Sequence, residues 1–241
     1  MPWTWYDSTV IRIEDETPNT KRFWVEVPDV EQFDFEAGQF VTMDLPISDK
    51  RLKRWRSYSI ANAPDGSNVL EFVIVRLEGG AATAYLFDNI KVGDAIRFKG
   101  PSGTFTLPKT IEKDLVFICT GTGVAPFRSM LWDLFLQKKT TNKLHLIFGT
   151  RFEDGILYRE ELETLQAAWP AFSFDIALSR APDWTGYKGY VHQIYLEQYA
   201  TPRPDIDFYI CGWSNMIDDA VANLIVKLGY DKSQVHYELY G

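Results

Sequence analysis

The chain has 241 residues, which is enough for two domains of ordinary size, and its hydrophobic content of 46% can build packed cores. Its net charge of -8 argues against a nucleic-acid-binding surface, because such a surface needs a basic field to displace counterions from phosphates. No apolar run approaches the ~18 residues of a membrane span, and the N-terminus lacks the pattern of a signal peptide, so a cytoplasmic protein is expected.

The first 108 residues are predicted to form a small antiparallel β-barrel. Short stretches with the composition of strands alternate with turns that contain Pro, Gly and Asn, which is typical of an all-β domain. Six strands are expected, at residues 9–14, 22–27, 39–45, 55–60, 69–75 and 95–99.

The predicted strand around residues 54–59 combines positive charge, aromatic rings and hydroxyls. Strand alternation places Arg56 and Tyr58 on one face and Ser57 and Ser59 on the other. A guanidinium beside a ring suits a flat, phosphate-bearing ligand, but an exposed edge strand kept soluble by charge would have the same composition. The preceding cations predict either a solvated loop or a docking patch for an acidic partner or a phosphate, and they are Lys50, Arg51, Lys53 and Arg54.

Residues 79–83, with the sequence Gly-Gly-Ala-Ala-Thr, interrupt the strand pattern. They are predicted to form a glycine-rich turn that opens a short helix over residues 84–87. The first amides of a helix have no partner within it, so this turn could bind a phosphate. An ordinary junction between a loop and a helix would have the same sequence.

Beyond Pro108, strands and helices alternate. The apolar run at residues 115–119 is typical of a strand that is buried on both faces of a parallel sheet. The alternation predicts a doubly wound α/β domain over residues 109–241. Its strands are expected at 115–119, 144–149, 172–178, 208–211 and 236–239, and its helices at 125–138, 157–169, 191–199 and 216–228.

A glycine motif follows the first strand of this predicted domain. Gly121 and Gly123 would let the backbone approach a pyrophosphate at the N-terminus of the next helix. Pro126 stands where the usual dinucleotide motif has a third glycine, and proline is well suited to the first turn of a helix. Arg151, rather than an acidic residue, follows the second strand, which argues against a plain Rossmann dehydrogenase.

Together these motifs resemble those of the ferredoxin-NADP reductase superfamily, in which an FAD-binding barrel precedes an NAD(P)-binding domain. The resemblance covers nearly the whole chain and rests on Arg-Ser-Tyr-Ser at 56–59, Gly-Thr-Gly-Val-Ala-Pro at 121–126 and Cys-Gly-Trp-Ser-Asn-Met at 211–216. Supporting matches lie at 37–40, 79–83, 93–94 and 100–103. The resemblance implies that the chain is a flavoenzyme with FAD and NADP, or NAD, as cofactors.

For FAD, the resemblance implies that Arg56 pairs with the pyrophosphate, Tyr58 lies against the isoalloxazine and Ser59 donates a hydrogen bond near N5. The glycine-rich turn would add amides and a hydroxyl for the pyrophosphate. The residues implied for FAD are Arg56, Ser57, Tyr58, Ser59, Gly80, Ala81, Ala82, Thr83 and Tyr240.

For the pyridine nucleotide, the resemblance implies a phosphate loop and a basic cluster that favours NADPH over NADH. Cys211 would lie beside the nicotinamide C4, Glu238 would line the hydride-transfer pocket, and Tyr240 would stack on the flavin although Gly241 follows it. The residues implied for binding are Thr120, Gly121, Thr122, Gly123, Pro126, Arg151, Ser179, Arg180, Lys188, Tyr190, Cys211, Gly212 and Met216. The implied catalytic residues are Ser59, Cys211, Glu238 and Tyr240.

The implied enzyme passes hydride from NAD(P)H to FAD and single electrons to a separate acceptor such as a ferredoxin or flavodoxin. It is expected to act as a monomer without nucleic-acid or membrane partners. Two alternatives stay open, a free-flavin or ferric reductase and a non-catalytic FAD subunit of a larger complex.

The two cysteines and three scattered histidines predict no iron-sulfur cluster or zinc site in the chain. In the usual strand order for this domain, the strands that end at Cys119 and Cys211 are neighbours at ~5 Å. Either two reduced thiols or a disulfide could follow from that arrangement.

Overall fold

The computed structural model describes residues 4–137, 140 and 142–239. The chain divides into two compact units. The first contains the chain up to Leu107 together with Ala125–Asp133, and the second contains Pro108–Val124 and the chain from Leu134 onward. The division into domains near residue 108 stays a prediction, and the structure adds that residues 125–133 group with the first unit.

In its described part, the first unit contains a six-stranded antiparallel sheet with the order β4-β3-β6-β1-β2-β5. Just beyond β4, the Ala61 amide donates to the Glu71 carbonyl of β5 at 2.8 Å, which joins the two edges of the sheet. The predicted antiparallel fold is therefore confirmed. The strands are β1 (Trp5–Thr17), β2 (Thr20–Glu26), β3 (Phe40–Asp44), β4 (Trp55–Ser59), β5 (Val69–Val75) and β6 (Ala95–Ser102).

Among the described residues, two short helices lie between strands of this sheet. Helix α2 (Ala81–Asp88) includes the last three residues of the predicted glycine-rich turn and so begins three residues before the predicted 84–87, while α1 (Arg51–Arg54) was not predicted. The strands enclose a core that contains the fully buried rings of Phe23, Phe72 and Phe98.

The second unit contains a parallel sheet with the order β10-β9-β8-β7-β11-β12, so the predicted doubly wound arrangement is confirmed. The two-residue strand β10 was not predicted. The strands are β7 (Asp114–Thr120), β8 (Leu144–Thr150), β9 (Phe172–Leu178), β10 (Tyr187–Lys188), β11 (Ile206–Gly212) and β12 (Val235–Leu239).

Helices follow the strands as the alternation predicted. They are α3 (Val124–Gln137), α4 (Arg159–Ala168), α5 (His192–Gln198) and α6 (Ser214–Ala222). The predicted helix over 216–228 begins two residues earlier, directly after Trp213, and continues beyond α6 as a π-helical turn at Asn223–Lys227. Within the described residues, none of the helices is both long and apolar enough to cross a lipid bilayer.

The order of the parallel strands creates a topological switch point. The chain builds outward from β7 to β8 and β9 on one side and then returns to place β11 on the other side of β7. Open sheets of this kind leave a crevice at the carboxyl ends of the two strands that flank the switch point. That crevice lies between the loops that follow Thr120 and Gly212.

Candidate cofactor sites

Strand β4 carries the first group of predicted site residues. Its register with β3 pairs Tyr58 with Val41 and Arg56 with Met43, so Arg56 and Tyr58 share one face. Ser57 points to the other face, where its hydroxyl is 3.1 Å from that of Thr42. Tyr58 packs against the core of the first unit, and burial raises its pKa to about 12 against the opposing effect of Arg56. The phenol is therefore neutral at physiological pH.

Arg56 is exposed, and main-chain acceptors orient its guanidinium. Nη1 donates to the carbonyl of Lys53 at 3.1 Å and to that of Trp55 at 2.7 Å. These carbonyls lie at the C-terminus of α1, where a basic side chain interacts favourably with the last helical carbonyls. The Nε and Nη2 groups have no partner among the described residues, so the side chain can also bind an anion.

The turn before α2 presents backbone donors. The amides of Ala81, Ala82 and Thr83 belong to the first helical turn, which cannot satisfy them internally. The Thr83 hydroxyl instead accepts from the Leu77 amide at 3.1 Å and donates to the Gly80 carbonyl at 3.2 Å. These amides fit the pyrophosphate of FAD, whereas the hydroxyl closes the turn.

A buried ionic network that was not predicted from the sequence supports the end of β4. Glu71 is only 3% exposed and pairs with Arg22 Nε at 2.7 Å and with Arg128 Nη1 at 3.0 Å. Arg128 also donates to the Ala61 carbonyl at 2.8 Å, and Ser129 Oγ donates to the Asn62 carbonyl at 2.6 Å. The sequence signal was a single glutamate inside the apolar strand Val-Leu-Glu-Phe-Val-Ile-Val.

The two loops at the switch point are pressed together, which only glycine permits. A Cβ atom on Gly123 would lie 2.4 Å from the Cys211 carbonyl oxygen. Gly212 has φ +146°, and a Cβ atom there would lie 2.5 Å from Thr120 Oγ1. The structure therefore brings together the predicted loop residues Thr120, Gly121, Thr122, Gly123, Cys211 and Gly212.

This loop also meets the chemical requirements of a dinucleotide pyrophosphate. Gly121–Gly123 forms a single 3₁₀ turn that leads into α3, whose first turn contains no acidic residue. Pro126 lies in that first turn, where its missing N–H removes no helical hydrogen bond. Backbone amides and the positive end of the helix dipole thus face the crevice.

A group of cations lies at the ends of β8, β9 and β10. The Arg180 amide donates to the Arg151 carbonyl at 2.8 Å, and the Ser179 amide donates to the Thr150 carbonyl at 3.0 Å. Ser179, Arg180 and Lys188 line a cavity of about 240 Å³. Among the described residues no carboxylate pairs with Arg151, Arg180 or Lys188, so the cluster is electrostatically uncompensated. Tyr190 follows it and is 70% exposed.

The catalytic candidates of the second unit occupy one row across the sheet. Cys119 of β7 is the register partner of Cys211 of β11, and Cys211 is the register partner of Glu238 of β12. The predicted neighbourhood of the two cysteines is confirmed, and both are buried thiols. Burial, and then the proximity of Cys211, raises the pKa of the Cys119 thiol.

Glu238 ends this row in an unusual state for a carboxylate. Burial raises its pKa to about 7, and its Oε2 atom has no hydrogen-bond partner among the described residues. An unpaired buried oxygen is costly unless a ligand supplies a partner, so Glu238 fits a ligand-lining position. Met216, the last residue of the motif at 211–216, is buried in α6, and Tyr240 lies outside the described residues.

Comparisons with known proteins agree with this architecture. Residues 7–107 match the family model described as the oxidoreductase FAD-binding domain, and residues 117–222 match the oxidoreductase NAD-binding domain. Ferredoxin--NADP reductase B of Sorangium cellulosum is 36% identical, over 98% of this chain and 97% of the relative. This chain belongs to the ferredoxin-NADP reductase superfamily.

Other members of the superfamily show how widely it is used. The phenol hydroxylase P5 protein of Acinetobacter pittii is 30% identical, and the match covers 98% of this chain but 65% of that protein. A solved ferredoxin NADP+ reductase from Neisseria gonorrhoeae with bound FAD and NADP matches with a TM-score of 0.82 and 25% identity, over 98% of this chain and 99% of that one. An Amycolatopsis cytochrome P450 reductase matches with a TM-score of 0.88 and 27% identity, over 99% of this chain and 70% of that one.

This reductase therefore has an FAD-binding and an NAD(P)-binding domain and is an electron-transferring oxidoreductase. The systems named for its relatives differ, because one is named as a ferredoxin reductase and another as a part of phenol hydroxylase.

Proposed function

We propose that this reductase takes hydride from NADPH and delivers single electrons to a separate redox protein such as a ferredoxin or a flavodoxin. Bound FAD supplies the chemistry that converts a hydride donor into a one-electron donor. The choice of NADPH rests on the uncompensated cation cluster, and the ferredoxin--NADP reductase relative that matches end to end supports the acceptor class.

The cation cluster favours a 2′-phosphate over a bare ribose. A ribose with free hydroxyls is usually held by a carboxylate at the end of the second strand of the domain, and Arg151 occupies that position after β8. Ser179, Arg180 and Lys188 offer a hydroxyl, a fork of N–H donors and an ammonium around one cavity. A dianionic phosphate would neutralise these charges, whereas NADH would leave them unpaired.

The flavin would be held by the first unit. In this proposal Arg56 and the amides of residues 80–83 bind the pyrophosphate, Tyr58 packs against the isoalloxazine, and Ser59 is placed near N5. Tyr58 is suited to packing because it is neutral and half-buried, and Ser59 is suited to a fixed position because it is only 5% exposed.

The nicotinamide would be placed by the second unit. Gly121–Gly123 would bind the pyrophosphate of NADPH, and Cys211, Gly212, Met216 and Glu238 would line the crevice beside the reacting carbon. Glu238 would hold a proton or accept a hydrogen bond there, since its pKa near 7 allows both states. Tyr240 keeps its proposed role as a ring that covers the flavin.

The acceptor would be an acidic redox protein. Lys50, Arg51 and Lys53 are exposed on and beside α1, and the Arg51 guanidinium lies 4.9 Å from the centre of the Trp55 ring. Arg54 is less available than the sequence suggested, because its Nε atom pairs with Asp44 at 2.8 Å. The docking patch is therefore defined as Lys50, Arg51 and Lys53.

Steady-state kinetics with both nucleotides tests the choice of NADPH. Arg180→Gln removes a charged hydrogen bond worth ~1.5–3 kcal/mol, so kcat/KM for NADPH should fall roughly tenfold to a hundredfold. The value for NADH should stay unchanged, and the control variant Arg97→Gln, which removes an exposed cation of β6, should alter neither. A wild-type preference for NADH, or equal losses with both nucleotides, would contradict the proposal.

A panel of electron acceptors tests the proposed acceptor and the tight binding of flavin. The purified protein should show flavin absorbance and reduce a ferredoxin or a flavodoxin with NADPH as donor. A colourless preparation that reduces only added free flavin would instead identify a free-flavin reductase.

A further inference from the structure

Trp213 is an exposed aromatic residue in a motif whose middle positions have no assigned role. It is 58% exposed, although large aromatic side chains gain much from burial. It occupies the first variable position of the motif Cys-Gly-Trp-Ser-Asn-Met and directly precedes α6. Packing within the described residues therefore does not account for an indole at this position.

The backbone of Trp213 is fixed at the switch-point crevice. Its amide donates to Thr120 Oγ1 at 3.4 Å, and Gly212 passes so close to the same hydroxyl that a Cβ atom would lie 2.5 Å from it. Thr120 is the residue that enters the glycine loop at 121–123. Trp213 is thus held beside the proposed pyrophosphate loop, on the β11 side of β7.

The other side of β7 carries the cation cluster. Arg151, Arg180 and Lys188 follow or belong to β8, β9 and β10, which all lie on the side of β7 opposite β11. A dinucleotide with its pyrophosphate at residues 121–123 and its 2′-phosphate at that cluster directs its adenosine half toward β9. Its nicotinamide half is then directed toward β11, where Trp213 stands.

We infer that the Trp213 indole packs against the nicotinamide half of the bound pyridine nucleotide and increases its affinity. This inference rests on the proposed binding of NADPH. An indole suits this half because it offers a flat face to a ring or ribose, and because the oxidised nicotinamide is a cation that an aromatic face attracts. Trp213 is a binding residue of the reductase in addition to those implied by the superfamily motifs.

Two ligands separate this role from a general effect on the fold. NADP+ contains both halves of the dinucleotide, whereas 2′-phospho-AMP contains only the half that the cation cluster would bind. In calorimetric titrations of the flavin-loaded protein, Trp213→Ala should raise the Kd of NADP+ about tenfold, in line with the loss of one aromatic contact. The Kd of 2′-phospho-AMP should not change, and Trp213→Phe should retain most of the affinity for NADP+.

Matched variants complete the test. Arg180→Gln should weaken both ligands, because it removes a group from the shared half. Trp169→Phe should weaken neither, because Trp169 stacks on Phe172 at the amino end of β9. Unchanged NADP+ binding by Trp213→Ala, or equal weakening of both ligands, would overturn the inference while leaving the proposed function intact. Wild-type protein that binds neither ligand would overturn the proposed function itself.

Discussion

A single carboxyl group gives the second unit a dependence on pH. Burial raises the pKa of Glu238 from 4.5 to about 7, so the folded protein favours the protonated carboxyl and the unfolded chain does not. The stability that this difference contributes is fully present below the unfolded pKa. It is lost as the pH rises through about 7, because the buried group then ionises.

Glu238→Gln should remove this dependence. Glutamine cannot ionise, so the Tm of the variant relative to wild type should increase between about pH 5 and about pH 8.5. Thermal melts at both pH values, followed by far-ultraviolet circular dichroism, measure the difference. Wild-type and variant Tm values that stay parallel over this range would contradict the raised pKa.

At the residue scale, the sequence predicted which residue types lie near one another in the sheet better than it predicted which side chains form ion pairs. The neighbourhood of Cys119 and Cys211 followed from the strand order that this domain usually has, and it is confirmed by their register. The ionic partners of Glu71 could not be deduced, because Arg22 and Arg128 lie 49 and 57 residues away along the chain. A polar residue in an apolar strand shows that a partner must exist, but only the fold determines which one.

Among the elements, the junction of the β7 and β11 loops has little room for change. Gly123→Ala places a methyl group 2.4 Å from the Cys211 carbonyl oxygen, and this backbone atom cannot rotate away. One loop must shift, which costs ~1–3 kcal/mol of unfolding free energy and displaces the proposed pyrophosphate amides.

Gly123→Ala should therefore lower the stability measured by chemical denaturation and also raise the KM for NADPH. Gly155→Ala is the matched control, because its new methyl group would meet the Thr150 hydroxyl at 2.9 Å, and a hydroxyl can rotate. A Gly123→Ala protein that keeps wild-type stability and KM would show that the loops separate more readily than their packing indicates.

The elements that sequence reasoning missed are those too short to have a period. Helix α1 is a single turn of four residues and β10 has two residues, so neither can show the repeat that distinguishes a helix from a strand. Strand β1 is longer than predicted because its first half pairs with β6 and its second half with β2, with a register shift between Val10 and Arg12. Pairing partners, rather than local composition, set its length.

For the whole molecule, the net charge of -8 makes the docking patch at Lys50, Arg51 and Lys53 a local exception. Opposite charges at a contact mainly accelerate association, and salt screens that effect. Reversal of all three charges to Glu should raise the KM for an acidic ferredoxin roughly tenfold at low ionic strength and should flatten its salt dependence.

The control reverses the exposed cations Lys91, Lys227 and Lys232, which changes the net charge equally. That variant should keep the KM for ferredoxin, and both variants should reduce a neutral dye with wild-type NADPH kinetics. An equal loss in the two triple variants would mean that overall charge, and not the patch, governs docking.

The ionic network around Glu71 also bears on how the chain acquires its fold during synthesis. Every strand of the first sheet has been synthesised once residue 102 is added, yet Arg128, one of the two cations that pair with Glu71, is still to be added. Until then Glu71 has Arg22 beside it but lacks Arg128, and a buried carboxylate with incomplete ion pairing costs stability. The nascent barrel therefore completes its interior only after residues 125–133 have left the ribosome, so its final consolidation is coupled to translation of the segment that follows the glycine loop.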